Sequence, residues 1–155
     1  MKRGVEEAIK DSKSKPVEGY DPGYPIVQAH LKAKKVALDS VRNEFKKQKE
    51  AKLDNVTLGT NYIKEGKYIE PAGGYLVVSV HMYMPEKKGF FKRLFTGSIG
   101  NWFQDVGVVA LKNYVSIFAG KDFAKNVTKD TVSNAIGEGE NAGKTSYYVA
   151  LRIPR

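Results

Sequence analysis

The chain has no cysteine. This excludes a disulfide framework, thiol nucleophiles and thiolate metal sites, and fits cytosol or a particle exposed to varied redox conditions. Histidine is almost as scarce, with His30 and His81 the only two in 155 residues. No His-x-x-x-His spacing occurs, so a zinc site would have to be completed by carboxylates, and no pair is marked out for that work. His81, beside Tyr83, reads as a solvent-facing or hydrogen-bonded structural histidine. Long apolar runs are also missing. Val106 to Leu111 is too short to span a bilayer, and Lys112 and Asn113 break the apolar pattern immediately after it. Met1-Lys2-Arg3-Gly4 leads into no apolar segment, so no secretory signal is expected, and the formal glycosylation acceptors at Asn55 and Asn126 carry little weight.

Acidic charge is short relative to basic charge. Seventeen Asp and Glu stand against 26 Lys and Arg, a net charge of +9. Such a surface attracts phosphates, acidic proteins or anionic lipid, without choosing among them. The hydrophobic content of 41% is enough for a core, and the length suits one domain.

Residues 1–24 read as an N-terminal arm, flexible or ordered by a partner, with residues 25–155 as a single α+β domain. The arm alternates aromatics with breakers in Gly19-Tyr20-Asp21-Pro22-Gly23-Tyr24-Pro25, which presents Tyr20 and Tyr24 as partner anchors. From Pro25 to about Leu53 the spacing predicts a long helix, with Val27, Leu31, Leu38, Val41 and Phe45 on its apolar face. Within residues 30–53, eight basic residues face three acidic ones, and Lys32, Lys35, Lys46 and Lys49 form a candidate polyanion surface.

Asn55 to Tyr83 reads as strands. Glu65-Gly66 suits a hairpin turn between Tyr62-Ile63-Lys64 and Lys67-Tyr68-Ile69. Residues 70–74 make a second reversal. Leu76, Val78, Val80, Met82 and Met84 then form an unbroken apolar face, expected to pack on the long helix, with Tyr75, Ser79, His81 and Tyr83 opposite. Phe103, Val106, Ala110, Tyr114 and Phe118 favour a helix stopped at Gly120, although the β-branched residues of Val108–Ile117 leave a strand or hairpin as the alternative. Thr128 to Ile136 is expected to form a short helix, and Tyr147, Val149, Leu151 and Ile153 a last strand. The economical arrangement is an α+β domain: an antiparallel sheet of about four strands, with the long helix and two further helices packed on it.

Gly137 to Thr145 ends in Gly-Lys-Thr, like a phosphate-binding loop. The glycine required five positions before Gly143 is Glu138, whose carboxylate would repel phosphate, and the segment leads into a strand rather than a helix. Nucleotide binding there is rejected. The most unusual stretch runs from Lys87 to Phe95. Its Lys87, Lys88, Lys92 and Arg93 are interleaved with Phe90 and Phe91, a composition suited to a partner surface, a lipid interface or unpaired bases. No catalytic, cofactor or metal residue is assigned. The expected function is a non-enzymatic structural or assembly subunit of a larger complex, of the virion or secretion kind, forming a homo-oligomer or larger protein assembly. A basic nucleic-acid-binding accessory protein and a peripheral protein of anionic membranes are the alternatives, and the expected location is cytoplasmic or particle-associated.

Overall fold

The structure, a computed structural model, describes residue 5 and residues 25–47, 53–85, 98–138 and 144–154. It is an α+β domain. Helix α1 spans Pro25–Lys47, followed by strands β1 (Asn55–Thr60), β2 (Ile63–Lys64), β3 (Lys67–Tyr68) and β4 (Leu76–Pro85). Helix α2 (Ser98–Phe118) and the single turn α3 (Lys121–Ala124) lead to β5 (Val132–Glu138) and β6 (Lys144–Ile153). The main sheet is antiparallel throughout in the order β1-β4-β6-β5, and β2 and β3 form a separate hairpin.

Alternation decides the sheet's inner face. Leu76, Val78, Val80, Met82 and Met84 of β4 and Tyr147, Val149, Leu151 and Ile153 of β6 are all buried, as the period-two pattern requires. Shortening Val80 or Leu38 to alanine should therefore cost about 2–4 kcal/mol in denaturant unfolding.

Helix α2 lies directly against this face. A Cβ on Gly107 would overlap Val149 Cγ2 and come within 2.9 Å of Val149 Cβ, so the missing side chain is what permits the approach. Helix α1 packs mainly along α2 and reaches β1 at its edge. Phe45 joins the two helices, with its ring 5.1 Å from Trp102 and 5.5 Å from Phe103 between centroids. The long helix thus lies beside α2, over the β1 edge of the sheet, and is not the main cover of β4.

Several expectations need correction. Leu31 is 41% exposed and is not core; His30 holds the buried position beside it. The stripe that turns inward is Ile26, Val27, His30, Ala33, Ala37, Leu38, Val41 and Phe45, and Leu31 falls at its margin. Residues 128–136 do not form a helix. Thr131 Oγ1 donates to the Thr128 carbonyl at 2.9 Å and accepts from the Thr128 amide at 2.8 Å, closing a turn. Val132 onward then pairs with β6 as an edge strand. The hairpin forms at Glu65-Gly66, both at positive φ (52° and 76°), as a primed turn demands. It leaves the main sheet at Asn61, whose side chain accepts from the Val77 amide at 2.8 Å and donates to the Tyr75 carbonyl at 3.0 Å. The segment 102–118 is helical, and Gly120 follows its end.

Of the first 24 residues only Val5 is described; it is helical and buried with the core. Tyr20 and Tyr24 lie outside the described residues, as do Lys49, Lys87, Lys88, Phe90, Phe91, Lys92 and Arg93. Of the Gly-Lys-Thr run, Lys144 and Thr145 open strand β6, where they pair with Pro85 and Met84 of β4. A phosphate-binding loop would instead lead into a helix whose N-terminus meets the anion.

Candidate functional site

The sheet's second face carries a group of polar aromatic side chains. β4 turns Tyr83, His81 and Ser79 to this side, and β6 turns Ser146, Tyr148, Ala150 and Arg152. Register places His81 opposite Tyr148, Tyr83 opposite Ser146, and Ser79 opposite Ala150. On the neighbouring strand, Thr57 and Gly59 stand opposite His81 and Ser79. The rings therefore occupy the two central strands, with small residues beside them.

Geometry binds the rings into one stack. His81 and Tyr148 are parallel within 22° at 5.5 Å between centroids, and His81 and Tyr83 within 13° at 6.4 Å. Ser79 Oγ lies 3.0 Å from His81 Nε2 and holds the imidazole in place. Partial burial lowers the His81 pKa, so the ring is neutral at physiological pH. The expected structural histidine is thus hydrogen-bonded and half-buried, within a ring stack that its sequence neighbours alone do not reveal. At the end of the same face the Arg152 guanidinium sits 5.6 Å from the centre of the Tyr75 ring, and Tyr75 is 55% exposed.

The helix cations form a different surface. Lys32, Lys35 and Lys46 are exposed on α1, opposite its buried stripe and hence on the far side of the helix layer from the ring stack. The structure does not bring these lysines and the aromatic face together.

A second polar cluster lies inside the helix layer, among residues that the sequence pattern does not bring together. His30 Nδ1 is 2.9 Å from Tyr114 Oη, and Tyr114 Oη is 2.6 Å from Tyr62 Oη. Both tyrosines are wholly buried. The hydrogens admit one fully paired arrangement. Tyr62 donates to Tyr114, Tyr114 donates to His30 Nδ1, and His30 carries its proton on Nε2. Any other order strands a hydroxyl hydrogen, although no buried polar side-chain atom among the described residues lacks a partner. Burial, with Lys34 adding to it, pushes the His30 pKa down to about 4. Burial raises the pKa of Tyr62 and of Tyr114 well above the phenol range.

Among the described residues, no cluster of three His, Asp or Glu could hold a metal ion, and no helix is long and apolar enough to cross a membrane. Comparison with protein-family models, curated proteins and solved structures finds no match.

Proposed function

We propose that this chain is a non-enzymatic binding domain that holds single-stranded nucleic acid on the open face of its sheet. The observation that carries this reading is the Tyr83–His81–Tyr148 stack on the two central strands. Antiparallel sheets backed by helices on one side offer unpaired bases such rings on the other. The part-exposed outer rings, Tyr83 and Tyr148, offer π-faces, the neutral imidazole between them adds no charge to repel a base, and stacking tolerates any base. Arg152 over Tyr75 extends the face with a cation, and the net charge of +9 favours a polyanion over a second copy of the same basic chain.

Labelled single-stranded oligonucleotides at low salt test the reading. Tyr83→Ala and Tyr148→Ala should each weaken binding by about 1–3 kcal/mol, with unfolding midpoints close to wild type. Affinity should fall linearly in log–log form with salt. No binding at low salt, or binding that survives both substitutions, defeats the proposal.

The sheet edges favour a second reading, the assembly subunit. Among the described residues β1 pairs only with β4 and β5 only with β6, and an edge strand is where another chain's strand would add. That reading expects a mass in solution that rises with concentration.

A further inference from the structure

The His30 cluster opens on one side into a cleft of about 370 Å³ between α1, the end of β1 and the β2–β3 hairpin. His30 is 6% exposed, and its Nδ1 is taken by Tyr114. Among the described residues no hydrogen bond engages Nε2, yet no buried polar side-chain atom is left unpaired, so Nε2 is reached from the cleft that His30 lines. The hydrogen-bond order fixed by Tyr62 and Tyr114 puts the ring proton on this nitrogen. An N–H of a buried histidine thus points into a concavity. Lys34, one helical turn on, also lines the cleft and lies near enough to His30 to oppose its protonation. Val27, Leu31, Leu58 and Ile63 supply apolar walls, and Glu65 sits exposed on the turn at the rim.

We propose that this cleft is a binding site for a small apolar carboxylate, whose carboxylate accepts a hydrogen bond from His30 Nε2–H and approaches Lys34, and whose hydrocarbon part lies on Val27, Leu31, Leu58 and Ile63. A donor whose ring is held by Tyr114, itself bonded to Tyr62, is preorganised, so little side-chain order is lost when an acceptor arrives. The neutral imidazole donates without needing a counter-ion, and Lys34 provides the charge that distinguishes an anion from a neutral acceptor. Among the described residues Glu65 is the only acidic group lining the cleft, and its exposure on the hairpin leaves it screened by water. The size falls within the ordinary range for small-ligand pockets. Exposed Leu31 also acquires a role, since a wall residue of a ligand cleft does not need burial in the free protein. The cleft lies on the helix side of the sheet, so the carboxylate site and the nucleic-acid face stand or fall separately.

Hexanoate, titrated into the full chain while the His30 ring and backbone amides are followed by NMR, supplies the test, with hexanol as the uncharged control. Saturable shifts confined to His30, Gly59, Gly66 and their neighbours are expected, with hexanol at least about tenfold weaker. Lys34→Gln, at a partly exposed position, should weaken hexanoate about threefold. Leu31→Trp should abolish the shifts by filling the cleft from its exposed wall, with the fold checked by the unaffected β4 and β6 amides. Absence of saturation at millimolar hexanoate, equal binding of hexanol, or shifts scattered over surface lysines would each overturn the proposal.

Discussion

Gly107→Ala should destabilise the domain by about 2 kcal/mol, although the same change in an open helix would stabilise it by about 1 kcal/mol. The position lies mid-helix in α2, where glycine is ordinarily a poor choice. What decides the sign is Val149, whose Cγ2 the added carbon would overlap and whose Cβ would lie 2.9 Å away, with Met82 Cε at an ordinary 3.6 Å. Val149 is β-branched, wholly buried and paired with Val80 and Asn134 on the flanking strands. It has no rotamer freedom or backbone slack with which to withdraw. The helix must lift from the sheet instead, loosening the contacts of Phe103 and Leu111 beneath it. Urea unfolding reads the change directly. The double variant Gly107→Ala, Val149→Ala should be more stable than the sum of the single effects by at least about 1 kcal/mol, because removing the valine methyls relieves the overlap. A Gly107→Ala protein more stable than wild type would show that α2 does not rest on the sheet at this point.

How readily each element can be read from sequence depends on how local its cause is. β4 and β6 alternate strictly because one face of each is buried along its length, and the pattern survives without knowledge of any partner. α2 carries a full apolar stripe that outweighs the β-branched residues of Val108–Ile117, because four turns of helix bury Phe103, Val106, Ala110, Tyr114 and Phe118 together. β5 has no such signal. Thr131-Val132-Ser133 fits a helix end as well as a strand, and pairing with β6, a distant event, settles it. β1 lies just before the stronger hairpin signal and merges with it into one strand-like region of sequence, although only β1 joins the main sheet.

The candidate sites are less accessible for the same reason. Parity places Tyr75, Ser79, His81 and Tyr83 on one side of β4. The stack, however, needs Tyr148 opposite His81, and that register is a property of the pair. In sequence His30 is one polar residue on a basic helix. Its position relative to Val27, Ala33, Ala37 and Val41 is nevertheless that of the buried stripe, and a histidine in such a place implies a polar partner. Tyr114 sits in the corresponding stripe of α2 and supplies that partner. Each position is legible separately, and only the packing of α1 on α2 joins them.

The cluster they form should make stability depend on pH in a window set by His30. Its pKa is about 4 in the folded domain and near 6.5 once unfolded. Between these values the unfolded chain binds a proton that the folded one refuses, so stability is complete above about pH 6.5 and declines as the solution is acidified toward pH 4. The full contribution is about 3 kcal/mol. Carboxylates titrate near the lower end of the window, so the measurement is the difference between wild type and His30→Gln, whose amide can still accept from Tyr114 but does not titrate. The groups around the imidazole are Lys34 on its own helix, Tyr114 from α2, Tyr62 from the β1–β3 region and Glu65 on the wall of the cleft, and the charge that acts on it is that of Lys34. Of these only Lys34 and Glu65 carry charge near neutrality, and Lys34→Gln should move the His30 ring titration upward. The hydroxyl variants separate donor order from simple proximity. Tyr62→Phe leaves Tyr114 donating to His30 and should cost about 1 kcal/mol. Tyr114→Phe leaves a buried hydroxyl on Tyr62 and a buried ring nitrogen on His30 without partners, and should cost about 2–4 kcal/mol. Equal costs for the two, or an acid-stability difference that vanishes between wild type and His30→Gln, would mean that the proton does not run from Tyr62 through Tyr114 to His30.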